Sequence, residues 1–176
     1  MATNGKFVSM WPRENPEALA AFYGRFELRS DGLPTTAWEA AHLVTTVAPY
    51  PLRAAWDPAV IITRIRCHRL VAESLKGVLR GILAHYGSVA AVRTARMDRF
   101  GGVYNYRRIA GSAQLSLHAY GAAIDLDPAN NPLGRVWKLG CWMMPQAVVA
   151  LFETAGWKWG GRFRSRKDCQ HFQATA

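Results

Sequence analysis

Two short clusters in the second half of the chain hold the residue types that metal-assisted hydrolysis requires. The first is Ser116-Leu117-His118-Ala119-Tyr120-Gly121-Ala122-Ala123-Ile124-Asp125. Gly121 permits a tight bend after His118, and the chain then runs extended through Ile124. Strand alternation puts Ala123, Asp125 and Asp127 on one face and the apolar Ile124 and Leu126 on the other. A carboxylate thereby lies beside a histidine on the polar face. Zinc binds imidazole nitrogen and carboxylate oxygen at about 2.0–2.2 Å, and catalytic sites typically use three protein ligands and keep a fourth position for water. The second cluster is Asp168-Cys169-Gln170-His171-Phe172. His171 offers a third ligand, and Asp168 offers a carboxylate to take a proton from the attacking water.

Each cluster alone is a weak signal, since a lone His near an Asp is more often a hydrogen-bonded structural pair than half a metal site. The weight comes from two histidines and two acids in the strand-rich half, with glycines at the bends. Asp127 is the strongest rival ligand, but Pro128 follows it and favours a turn-capping role. His68 falls on an apolar stripe and reads as a satisfied core histidine, while His42 and His85 lie near helix ends. Three cysteines are too few for a disulfide framework or a four-thiolate site, and Cys67 and Cys141 read as small buried hydrophobes. Cys169, close to His171, is a possible competing thiolate that the site does not need.

The elements that must position these groups follow from periodicity. Asn15-Pro16 opens a short helix through Tyr23 that ends at Gly24, and a second helix fits Thr36 to Val47. Pro49 to Pro58 reads as a proline-punctuated loop. Apolar residues at 3–4 spacing predict a helix from about Ile65 to Tyr86, closed by Gly87. Val89 to Arg96 and Val103 to Ile109 read as strands around a turn at Phe100-Gly101-Gly102. Ala122 to Leu126 reads as a strand, Pro145 to Ala155 as a helix, and Trp157 to Trp159 with His171 to Gln173 as closing strands. Helices first and antiparallel strands later predict an α+β fold, with a helical N-terminal part packed on a small antiparallel sheet. The expected organisation is one domain over 1–176, with 1–60 as the helical portion and 61–176 as the core.

Half of the 176 residues are apolar, and 22 Lys and Arg against 12 Asp and Glu give a formal charge of +10. That field favours a polyanionic partner, an envelope polymer or nucleic acid. The arginines are scattered and no recognition element for nucleic acid is visible, so no specific nucleic acid is expected. No apolar run approaches the roughly 20 residues of a membrane span, and MATNGKFVSMWPREN lacks the apolar core of a secretory signal.

The string S-L-H-A-Y-G-A-A-I-D resembles the S-x-H-x-x-G-x-A-x-D signature of the VanY-like D-alanyl-D-alanine carboxypeptidases and the related L-alanyl-D-glutamate endopeptidases of phage lysins. Y-N-Y-R-R-I-A-G upstream, and W-K-W-G-G followed by D-x-x-H-F downstream, extend the likeness over residues 100 to 173. The resemblance implies a hedgehog/DD-peptidase-like fold and one zinc ion per chain on His118, Asp125 and His171. It also implies Asp168 as general base and Arg107 as the cation facing the oxyanion, the adjacent Arg108 pointing away. Ser116 and Trp159 are expected to bind substrate. The implied substrate is a peptidoglycan stem peptide, with the L-Ala–D-Glu bond favoured over the D-Ala–D-Ala bond on the C-terminal likeness. A catalytically silent wall-binding or virion module of the same fold is the alternative. Without a signal, the expected course is synthesis in the cytoplasm and action on the wall after release.

Overall fold

The computed structural model describes residues 10–176; residues 1–9, most of the stretch read above for a signal, lie outside the described residues. The elements run α1 (Pro16–Tyr23), α2 (Thr36–His42), β1 (Leu43–Ala54), β2 (Ile61–His68), α3 (Ala72–Tyr86) and α4 (Val89–Thr94). They continue with β3 (Arg99–Gly102), β4 (Ala123–Leu126), α5 (Gln146–Thr154), β5 (Lys158–Trp159) and β6 (His171–Gln173). One six-stranded sheet has the order β2-β1-β3-β4-β6-β5. Its pairings are antiparallel except β1 with β3, which makes the sheet mixed in an α+β fold.

One face of the sheet is buried under α3 and α5. Leu75, Leu79 and Ile82 of α3 and Val148 and Phe152 of α5 are fully buried. Phe152 stacks on Phe172 of β6 with ring centroids 3.9 Å apart. Each such side chain contributes about 1.5–3 kcal/mol of burial, so β6 is held firmly against the helices. α1 reaches the far end of the chain through Tyr23, whose hydroxyl donates to the Ala174 carbonyl at 2.6 Å.

Several elements differ from the sequence expectation. The second helix stops at His42, and the stretch expected as helix end and loop is the 12-residue β1. Pro49 and Pro51 are tolerated because the β1–β2 register is interrupted between Val47 and Leu52, where no ladder bond is demanded of them. The expected long helix divides into β2, a short turn and α3, and His68 ends the strand rather than lining the helix. It is nonetheless a core histidine: Nε2 lies 2.9 Å from the Tyr23 carbonyl, and burial lowers its pKa to about 4.

Val89–Thr94 is a helix capped by the Ser88 side chain, not a strand. The expected turn at Phe100-Gly101-Gly102 is inside β3, and the expected strand at Val103 to Ile109 is the loop that follows. Cys67 is buried as expected, whereas Cys141 is exposed. Among the described residues no helix is long and apolar enough to cross a membrane.

Candidate metal centre

β4 and β6 pair antiparallel with Asp125 directly opposite His171, so these two side chains share a face. Both face away from the helices, because Ile124 and Leu126 on either side of Asp125 are in the core. His118 arrives from a 3-10 turn, Leu117–Tyr120, whose first N–H groups are capped by the Ser116 hydroxyl, which accepts from the His118 N–H at 3.3 Å. The turn is closed by Gly121 in the left-handed region (φ +68°). A Cβ there would lie 2.9 Å from the His68 backbone nitrogen. Both the bend and the close packing therefore require glycine, and the bend turns the chain from His118 into β4.

The result is a triangle of ligand atoms. His118 Nε2 lies 3.2 Å from Asp125 Oδ1 and 3.2 Å from His171 Nδ1, and His171 Nδ1 lies 2.9 Å from the same Asp125 oxygen. Ligands held about 2.0–2.1 Å from a tetrahedral ion stand about 3.3 Å apart, so the triangle is sized for zinc. Among the described residues, His118, Asp125 and His171 form the group that could hold a metal ion.

The surroundings fix which atoms face the centre. His118 Nδ1 is 2.8 Å from the Val103 carbonyl. A carbonyl only accepts, so Nδ1 carries the proton and Nε2 presents its lone pair inward. On β6 the Gln173 amide nitrogen donates to Thr175 Oγ1 at 2.9 Å, which turns its oxygen toward His171 Nε2 at 3.0 Å. His171 therefore donates from Nε2 and presents Nδ1 inward. Three lone-pair atoms thus converge within 3.2 Å of one another. That arrangement is favourable only with positive charge among them, a bound cation or a proton on an imidazole.

The electrostatics agree. Burial alone would push the Asp125 carboxyl up, but the His118 and His171 imidazoles more than offset this and hold it well below the usual carboxylate range. Burial likewise opposes charge on His171, and the contact with Asp125 reverses the balance and raises its pKa. The centre attracts positive charge.

Asp168 stands at the rim. It precedes β6, and its backbone carbonyl accepts from the His171 N–H at 3.1 Å. Burial raises its pKa, with the Asp125 charge adding to the rise, and its Oδ1 is buried without a hydrogen-bond partner. A carboxylate oxygen held unpaired beside the ligand group is free to accept a proton. Gly160 makes room for it, since a Cβ there would lie 2.4 Å from the Asp168 carbonyl oxygen and 3.2 Å from His171 Cβ. Gly101 does the same for Asp125, whose Cβ would be 2.7 Å from a Cβ at that position.

The remaining expected residues fall on different sides. Residues 105–109 run antiparallel to 114–118, with the Ser116 N–H bonded to the Arg107 carbonyl and Asn105 N–H to the His118 carbonyl. Alternation places Arg107 with Ser116 and Arg108 opposite, and Arg108 indeed lines a groove against α1 with Leu19, Phe26 and Tyr120. Arg107 is exposed, and its Nη1 lies 3.5 Å from the Arg108 carbonyl. Trp159 pairs with Phe172 and so lies on the helix side of the sheet, lining a pocket of about 250 Å³ with Trp137, Val149 and Arg162. Its indole N–H donates to the Cys169 carbonyl at 2.9 Å, so its link to the centre is through the turn that carries Asp168.

Asp127 accepts from Arg96 Nε at 2.9 Å and from Asn130 Nδ2 at 3.0 Å, the turn role expected of it. The Cys169 thiol reaches the Arg135 carbonyl at 3.4 Å rather than the centre. The sequence reading missed Val103, which acts through a backbone atom and leaves no residue signal. It also missed Gln173 and Thr175, whose alternation with His171 on one face was a usable signal.

The family profile described as D-alanyl-D-alanine carboxypeptidase matches residues 110–174, a stretch that contains His118, Asp125, Asp168 and His171. No curated protein and no solved structure matches the chain. That stretch, with the His–Asp–His group within it, is similar to the VanY-like D-alanyl-D-alanine carboxypeptidase family, zinc-dependent peptidases that act on peptidoglycan.

Proposed function

We propose that the chain hydrolyses a peptide bond in the peptidoglycan stem, with His118, Asp125 and His171 holding one zinc ion and Asp168 acting as general base. The observation that carries the reading is the convergence of three lone-pair atoms at 2.9–3.2 Å beside an unpaired buried carboxylate oxygen. A structural ion pair has no use for that oxygen; a hydrolase does.

Zinc in this ligand set supplies a Lewis acid that polarises the scissile carbonyl and makes water more acidic. Asp168, raised by burial and carrying a free oxygen, takes the proton from the attacking water and returns it to the leaving amine. Arg107, on the same face of its loop as Ser116, swings from solvent to face the developing oxyanion. A cation so placed is worth several kcal/mol in a water-poor site. Ser116 is buried and sets His118 by capping its turn. The basic surface, formal charge +10, draws the protein to anionic envelope polymers.

For the bond cut we favour L-Ala–D-Glu, on the likeness of the W-K-W-G-G and D-x-x-H-F segments to the phage-lysin branch. The family description favours D-Ala–D-Ala as the second reading. Mass analysis of products from a defined pentapeptide muropeptide decides between them. An endopeptidase yields a peptide beginning with D-Glu, and release of free alanine alone removes that choice.

A further inference from the structure

Outside the metal group, a cluster of like charge stands where α4 meets the beginning of β3. Asp98 is only 1% exposed and is surrounded by three guanidinium groups. Arg53 Nε is 3.5 Å away, Arg99 Nε 3.8 Å and Arg93 Nε 4.0 Å. None of these contacts is a hydrogen bond: both Asp98 oxygens and the Nε atoms of Arg53 and Arg99 are buried without a partner. One carboxylate facing three cations leaves two positive charges uncompensated. Arg96 nearby does not share the excess, because it is paired with Asp127 at 2.8 Å.

The arrangement turns donors outward. A guanidinium carries five N–H donors in a rigid fork, and here the Nε edge is the one turned to Asp98. The side chains of Arg53, Arg93 and Arg99 remain 33%, 44% and 27% exposed, and their terminal nitrogens have no partner among the described residues. A carboxylate that orients three forks from beneath while binding none of them fully is a mount for an incoming anion.

Its place on the sheet ties it to the metal centre. Arg53 and Arg99 are register partners on parallel strands, so they share a face, opposite the buried Leu52, Ala54 and Phe100. Asp125 faces the same way, between the buried Ile124 and Leu126. Gly101, whose Cβ position abuts Asp125, lies two residues from Arg99 along β3, about 7 Å at strand rise. Arg53, Arg99 and the ligand group therefore occupy one open face, separated by about the length of two residues of extended peptide, and Arg93 reaches the same Asp98 from α4.

We infer that Arg53, Arg93 and Arg99 form an anion subsite that holds a free carboxylate of the peptide substrate, about two residues from the bond cut. The inference rests on the peptidase reading above, and it makes the substrate class an acidic peptide rather than any peptide of the right length. It assigns Asp98 a positioning role beneath the three guanidinium groups.

The test pairs a stem peptide with analogues in which each free carboxylate in turn is converted to its carboxamide. Zinc-loaded protein is measured two ways, by equilibrium binding in a titration calorimeter and by hydrolysis. One analogue is expected to bind and react about tenfold or more worse than the free acid, because the subsite's charged donors are left unmatched. In the double variant Arg53→Gln/Arg99→Gln that ratio is expected to fall below about twofold, with zinc content unchanged. Arg93→Gln, on the more exposed side chain, is the second variant should the double one fail to fold, and it is expected to lower the ratio in the same direction. Equal binding of acid and amide by the wild type, or an undiminished ratio in the variants, overturns the subsite. Preferential binding of the acid with no peptide ever cleaved leaves the subsite standing and refutes the peptidase reading instead.

Discussion

Asp125 and Asp127 lie two residues apart on the same segment and face opposite kinds of neighbour. Around Asp125 stand two imidazoles whose outer nitrogens are committed to Val103 and Gln173, so that lone pairs point inward. Around Asp127 stand the donors of Arg96 and Asn130, and the carboxylate is satisfied. Both are acids near the end of a strand, and composition alone does not separate them. What separates them is the outer layer: a centre that meets acceptors on every side calls for a cation, whereas one that meets donors is complete. A reading of metal sites from residue types should therefore ask what lies behind each ligand.

The contrast is open to breakage, beginning where the effect is greatest. His118→Ala removes one corner of the triangle and is expected to lose the metal and at least about 10³-fold of peptidase activity, measured as kcat/KM on a defined muropeptide. Asp168→Asn is expected to keep zinc and the fold while kcat falls about 10²–10⁴-fold, the range of general-base contributions. Retained activity there would favour a silent wall-binding module. Gln173→Leu leaves the His171 Nε2–H without its acceptor. Loss of such an outer partner costs about 10–100-fold in metal affinity, read by competition with a chelator. Asp127→Asn, the control on the other side of the comparison, is expected to leave zinc content unchanged. It should lower stability by about 1–3 kcal/mol in urea unfolding, the cost of weakening a buried pairing.

The parts legible in the sequence were those whose signal is local. The bend at Gly121 and the alternation after it placed His118 and Asp125, and strands β4 and β6 and helix α5 stand where periodicity put them. Other elements were masked by competing signals. The segment Ile61–His68 alternates well enough for a strand, but its apolar residues also continue the helical spacing of α3, and the helix pattern absorbed it. Glycines at 101 and 102 read as a turn because glycine usually marks one. In the fold Gly101 is in a strand for a different reason, the close approach of Asp125. Pro49 and Pro51 argued against a strand until the interrupted register supplied a place for them. The outer layer of the metal centre was least legible, since one of its members is a backbone carbonyl and its meaning depends on which atoms touch.

The difference between the two acids predicts how metal should follow mutation. Zinc measured by mass spectrometry on dialysed protein is expected near one ion per chain in the wild type and in Asp127→Asn, and near zero in His118→Ala. A wild type that retains no zinc, or a His118→Ala protein that keeps the full amount, would contradict the assignment of His118, Asp125 and His171 as the metal centre.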